Sequence, residues 1–265
     1  MSTVEKTSLS VDGPKPWYNR PKSISDYDGL AHLPHLSRLP NKFKGRIEVE
    51  PLNIQVEDAA DGFVPGFLHM PPDFVSPAPE THHRTAAILL SGAGGGVAGP
   101  SSMYLSLGDK LAALGTGIPA LRLDFRFPAR NRYCVEDVSA AMAYLSDMYG
   151  LDRFVGRDER VVGCATVTSQ TAETEGIRRL APRPVLLLHG TGDRTLNPSC
   201  SERLYAFRNA QMAEGVLLDF IAKFAGLRVN DAEKLAVADQ RLLDDGERTE
   251  LMKRGGDLRP PESTD

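Results

Sequence analysis

The chain has 265 residues, 41% of them hydrophobic and 25% charged, with a formal net charge of −4 at pH 7. That length supports one large domain with a substantial core, and the mild acidity gives no reason to expect nucleic acid or an anionic membrane as partner. No apolar run approaches the roughly 18 residues of a membrane-spanning helix, and Met1 to Ser8 lacks the apolar stretch of a secretory signal. Cys134, Cys164 and Cys200 are far apart and odd in number, which suggests neither a zinc motif nor a disulfide framework. A cytoplasmic protein with reduced thiols, no metal and no cofactor is expected.

Residues 1–44 carry prolines, serines and charges without a sustained period, and read as a disordered or loosely docked lead-in. His32 and His35 lie there and read as solvated. From Arg46, the residues Ile47, Val49, Leu52, Ile54 and Val56 broadly alternate with polar ones, and a second apolar run spans Phe63 to Met70. With turn residues at 58–62 between them, the two runs predict an antiparallel hairpin. A polar loop carrying His82 and His83 follows.

Ala86 to Pro128 organises the rest. The run Ala86 to Leu90 passes into Ser91-Gly92-Ala93-Gly94-Gly95-Gly96-Val97-Ala98-Gly99-Pro100. Tyr104, Leu107, Leu111 and Leu114 then recur at helical spacing, and Ile118 to Phe125 reads as another strand. Strand, glycine loop, helix, strand is a βαβ unit with parallel strands. The glycines let backbone N–H groups converge on a bound oxygen. Val135, Val138, Met142 and Leu145 predict a helix over 135–149 closing near Gly150, and Leu151 to Val155 begins a further strand.

The glycine loop supports two readings. Gly94, Gly96 and Gly99 satisfy G-x-G-x-x-G, with Asp124 near the position of a ribose-binding acid. That dinucleotide-binding, Rossmann-type reading implies an oxidoreductase. The other reading is an oxyanion loop, with Ala93, Gly94 and Gly95 as backbone donors. The strand Leu89-Leu90 entering Ser91-Gly92-Ala93-Gly94-Gly95-Gly96 resembles the H-G-x-G-G segment of α/β-hydrolases, in their dienelactone-hydrolase-like and acyl-hydrolase-like branches. Ser91 stands where that family has histidine. Val185 to Leu188 followed by His189-Gly190-Thr191-Gly192-Asp193 is similar to the strand on which the family presents its catalytic acid. The dinucleotide reading explains neither that element nor the hairpin before the first strand. The resemblance implies a mostly parallel α/β sheet with an N-terminal antiparallel hairpin and flanking helices over residues 45–228. The charged composition beyond it reads as a partly helical or disordered tail at 229–265, with Leu235 to Leu243 as one surface helix. It also implies hydrolysis of ester, thioester or similar acyl bonds by a serine, without metal or organic cofactor.

The residues do not complete that chemistry. No G-x-S-x-G occurs, and only Gly156 to Arg160 separates the run ending at Val155 from the run Val161 to Val167. A nucleophile elbow needs a strand, a tight turn and a helix, and five residues leave no room for them. The family's order is serine, acid, histidine, yet His32, His35, His69, His82, His83 and His189 all precede Asp193. Asp193 is therefore expected as an acid without a histidine to orient. His189 reads as a strand-end residue, and Ser91 and Ser169 lack elbow context. Ser101 or Ser102 reads as a cap of the following helix, and Cys164 as core. Asp124 and Arg126 end a strand at the edge where open α/β sheets bind ligands, and a local salt bridge is the plainer expectation. The abrupt junctions at 155–156 and 207–208 look like a shortened serine hydrolase. A small acyl or ester ligand is the expected partner. The alternative is a non-catalytic binding or scaffold protein on the same fold. Loss of the elbow helix further implies an uncovered sheet face, met by self-association or another partner.

Overall fold

The two alternating runs after Arg46 form β1 (Glu48–Gln55) and β2 (Phe63–Met70), antiparallel from Glu48 opposite Met70 to Gln55 opposite Phe63. The computed structural model describes residues 47–58, 62–79, 84–90, 96–99, 102–128, 130–155, 161–167, 183–188, 210–244 and 246–247. Pro51 is tolerated because β1 is the outer strand, where a missing N–H disrupts no second ladder.

Next come β3 (Thr85–Leu90), α1 (Met103–Ala113) and β4 (Ala120–Leu123), the expected βαβ unit, with Ala87 beside Ala120 and Leu90 beside Leu123 in parallel register. β2 pairs with β4 antiparallel and joins the hairpin to this unit. α2 (Asn131–Tyr149) ends on Gly150, whose left-handed φ of 67° lets its N–H reach the carbonyls of Leu145 and Ser146. β5 (Arg153–Val155), β6 (Val161–Val167), β7 (Val185–Leu188) and α3 (Ala210–Ala225) follow. The seven described strands lie in the order β1-β2-β4-β3-β5-β6-β7. The mostly parallel sheet with an antiparallel N-terminal pair is the expected architecture. No helix among the described residues is long and apolar enough to cross a membrane.

Each face of the sheet has its own core. Phe67, Ala87, Leu89 and Ala120 meet α1 and α3 through Leu107, Leu111, Leu217 and Ile221. On the other face Leu52, Ile54, Leu68, Ile88 and Leu121 meet α2 through Ala141, Met142 and Leu145. α1 packs on β2 and β4 and also against α3, so even its polar positions are enclosed. Ser106 Oγ and Lys110 Nζ both donate to Glu214 Oε1 of α3, at 2.5 and 2.9 Å, and satisfy that buried carboxylate.

Three details differ from the sequence reading. Val135, expected on the buried stripe of α2, is 51% exposed. Asp137, two residues on, is buried by an ion pair instead. The packed core also runs past residue 228. After α4 (Asp231–Glu233) and a π-helical turn at Lys234–Ala238, Val237, Leu242 and Leu243 are buried in the α1–α3 cluster. Cys164 is half-buried rather than core. It shares a side of the sheet with Thr166, Val185 and Leu187, all half-buried, whereas Ala165, Leu186 and Leu188 pack toward α1 and α3. The α2-side cluster ends at Val161.

β5 and β6 are parallel neighbours despite their five-residue connection. Val161 starts beside Phe154, one residue from the end of a three-residue strand. The connection therefore has to cross little more than one strand spacing, about 5 Å. No described helix intervenes between them in the chain.

Candidate functional site

The glycine loop leaves the carboxyl end of β3, and its described parts are tied down on both sides. Tyr104 Oη donates to the carbonyl of Leu90, the last residue of β3, at 2.6 Å. Beyond the loop's centre, Gly96 N–H donates to Asp124 Oδ1 at 2.8 Å, and Arg122 Nη1 donates to the Val97 carbonyl at 3.2 Å. The Ala98 and Gly99 carbonyls accept from the N–H groups of Tyr104 and Ser102 at the start of α1. Gly96 and Gly99 have φ of 91° and 71°, the left-handed region that a side chain disfavours. The described residues on either side, Leu90 and Gly96 to Gly99, are thus held by β4 and α1.

Ser91, Ala93, Gly94, Gly95, Ser101, Ser169, His189 and Asp193 lie outside the described residues. Asp124 and Arg122 are brought to the loop. Asp124 is fully buried and binds the loop's own backbone, so it is not presented as a ribose-binding acid, and the Gly96 amide is already engaged. Ser102 occupies the N-cap position of α1 but makes no side-chain cap bond. Its φ of 53° departs from the extended geometry that aims a cap hydroxyl at the helix. Arg126 forms the expected local ion pairs. Its Nε meets Asp137 Oδ1 at 2.5 Å, its Nη2 meets Asp58 Oδ2 at 2.7 Å, and its backbone N–H donates to Asp137 Oδ2. Burial opposes its charge, but Asp58 and Asp137 outweigh burial and hold the guanidinium more firmly protonated than usual.

The sequence reading missed a buried network below the loop. His69 Nδ1 lies 2.8 Å from Asp109 Oδ1 of α1, and His69 Nε2 accepts from Arg122 Nε at 2.7 Å. A histidine bonded to aspartate through Nδ1 is the orienting half of a catalytic triad. Here it cannot serve as a base, because His69 and Asp109 are inaccessible and Nε2 is occupied. Burial pulls the Arg122 guanidinium down to about 9, with Asp109 acting in the opposite direction, so it remains charged at neutral pH. The available signal was a charge inside the buried run Leu121-Arg122-Leu123, which requires a partner.

Two tyrosines give the fold an alkaline limit. Burial raises the Tyr104 hydroxyl above its ordinary range; burial and then the bond to Glu50 raise that of Tyr149. Unfolded tyrosines ionise near about pH 10 while these two stay protonated, so stability falls as pH rises past that point. Arg122 partly offsets the fall, since its folded form gives up a proton before the unfolded form does. Denaturant melts from about pH 8 to 11.5 are expected to show the decline, and Tyr104→Phe to make it shallower. An unchanged slope in that variant would contradict the assignment.

No family profile and no curated protein matches the sequence. Several solved structures are similar in fold. An esterase from Pyrococcus furiosus is 11% identical, with 69% of this chain and 95% of that chain covered and a TM-score of 0.50. A serine hydrolase without a lid from Xanthomonas campestris is 12% identical over 67% of this chain and 95% of its own, at a TM-score of 0.47. A dienelactone hydrolase from Anabaena variabilis is 12% identical over 80% of this chain and 97% of its own, at 0.33. The Pyrococcus likeness, together with the strand order, shows that the chain has the α/β-hydrolase fold.

Proposed function

We propose that this chain, built on the α/β-hydrolase fold, is a relative of serine ester and thioester hydrolases that binds a small acyl or ester molecule beside the glycine loop without completing hydrolysis. The five-residue connection between β5 and β6 carries this reading. Gly156-Arg157-Asp158-Glu159-Arg160 contains no serine and is too short for an elbow and its helix. The His69–Asp109 pair supports it, because its histidine nitrogen is held by Arg122 rather than offered to a nucleophile. Turnover of p-nitrophenyl acetate tests the proposal. The rate is expected to match buffer with an equal mass of inert protein, while a bound non-hydrolysable acyl analogue raises the melting temperature with concentration. Saturable turnover proportional to protein would restore the hydrolase reading. A melting temperature indifferent to such analogues would favour a scaffold.

A further inference from the structure

We infer that His69 is an acid-sensitive latch on the glycine loop. Neutral His69 carries its proton on Nδ1, where it donates to Asp109, and offers the bare Nε2 to Arg122. Arg122 held in this way keeps Nη1 on the Val97 carbonyl and its guanidinium 4.8 Å over the Phe67 ring. The chain makes room for the arrangement at Gly108 of α1, where a Cβ would stand 2.9 Å from the imidazole. Among the described residues, Asp109 from α1 and Arg122 from β4 hydrogen-bond the ring. Its strand neighbours, Val49 on β1 and Ala120 on β4, are uncharged, and Lys110 of α1 is turned to Glu214.

A proton added at Nε2 would set two donors, both cationic, against each other at hydrogen-bond distance in a site without water contact. The imidazolium keeps Asp109 and strengthens that bond, so Arg122 is the group that must yield. Leaving Nε2, Arg122 gives up the geometry that keeps Nη1 on the Val97 carbonyl, and the described part of the loop loses a tie to β4. The latch thus has two states, distinguished by whether Arg122 holds the imidazole.

Amide hydrogen exchange, corrected for the intrinsic effect of pH, tests this on the intact chain. Protection at Gly96 to Gly99 should drop about tenfold or more between about pH 7.5 and 5.0 while α2 changes by less than about twofold. His69→Gln retains a donor for Asp109 and an acceptor for Arg122 but does not titrate, and its loop protection should be independent of pH. A flat response in the parent chain, an equal drop in H69Q, or a parallel loss over α2 would each overturn the latch. Should H69Q fail to fold, long-range proton–nitrogen spectra of the parent imidazole decide the question. Nδ1 alone should be protonated at the higher pH, with the second proton arriving as loop protection falls. A ring that stays singly protonated through that fall would also refute it.

Discussion

Replacing Asp137 with alanine is expected to cost the fold about 3 kcal/mol or more in denaturant unfolding. Asp137 is fully buried and spends both carboxylate oxygens on Arg126, one on the backbone N–H at 2.8 Å and one on Nε at 2.5 Å. The Arg126 side chain is itself 1% exposed. Removing Asp137 takes the partner of Nε from that guanidinium and strips an acceptor from the backbone just past β4. Asp58→Ala should cost less, because Asp58 is 13% exposed and water can replace it. Asp137→Asn should fall between, since it keeps an acceptor for the N–H but not the charge. A loss below about 1 kcal/mol for Asp137→Ala would show that the pair is not the fastening between β4 and α2 described here.

Gly99→Ala should be nearly as severe, costing about 2–3 kcal/mol and loosening the loop. Two effects combine at this position. The φ of 71° is left-handed, and an added Cβ would lie 2.2 Å from Cγ of Tyr104. Tyr104 has little freedom to retreat, because its hydroxyl is bonded to the Leu90 carbonyl. Measuring the same substitution in a Tyr104→Ala background separates the two. The clash disappears there, and only the conformational cost of about 1 kcal/mol should remain. An undiminished cost in that background would rule out Tyr104 as the cause.

Much of the architecture was legible in the sequence because it depends on periodicity. The alternation from Ile47 to Val56 marked β1, the spacing of Leu107 and Leu111 marked α1, and Gly150 marked the end of α2. The networks were not legible, because a charged residue in a sequence is read as solvated unless its partner is known. Asp137 shows the consequence. It is buried in its ion pair, while Val135 faces solvent although its spacing fits a buried stripe. His69, Asp109 and Arg122 are far apart in sequence and meet only because β2 and β4 are neighbours beneath α1. Asp124 could be placed at the carboxyl edge of the sheet from sequence. Its turn back onto the Gly96 amide depends on the loop's three-dimensional path. The core beyond residue 228 was missed for a related reason: Leu235-Ala236-Val237-Ala238 and Leu242-Leu243 are short apolar runs in a charged stretch, and only α1 and α3 show what they cover.

A hydrolase fold without an activated serine should be inert to reagents that trap one. Intact-mass analysis after exposure to a fluorophosphonate, on protein shown to be folded by circular dichroism, tests it most directly. Unmodified mass is expected under conditions that label an authentic serine esterase to completion. A single stoichiometric adduct, mapped to one serine, would contradict it and place a working nucleophile in this chain.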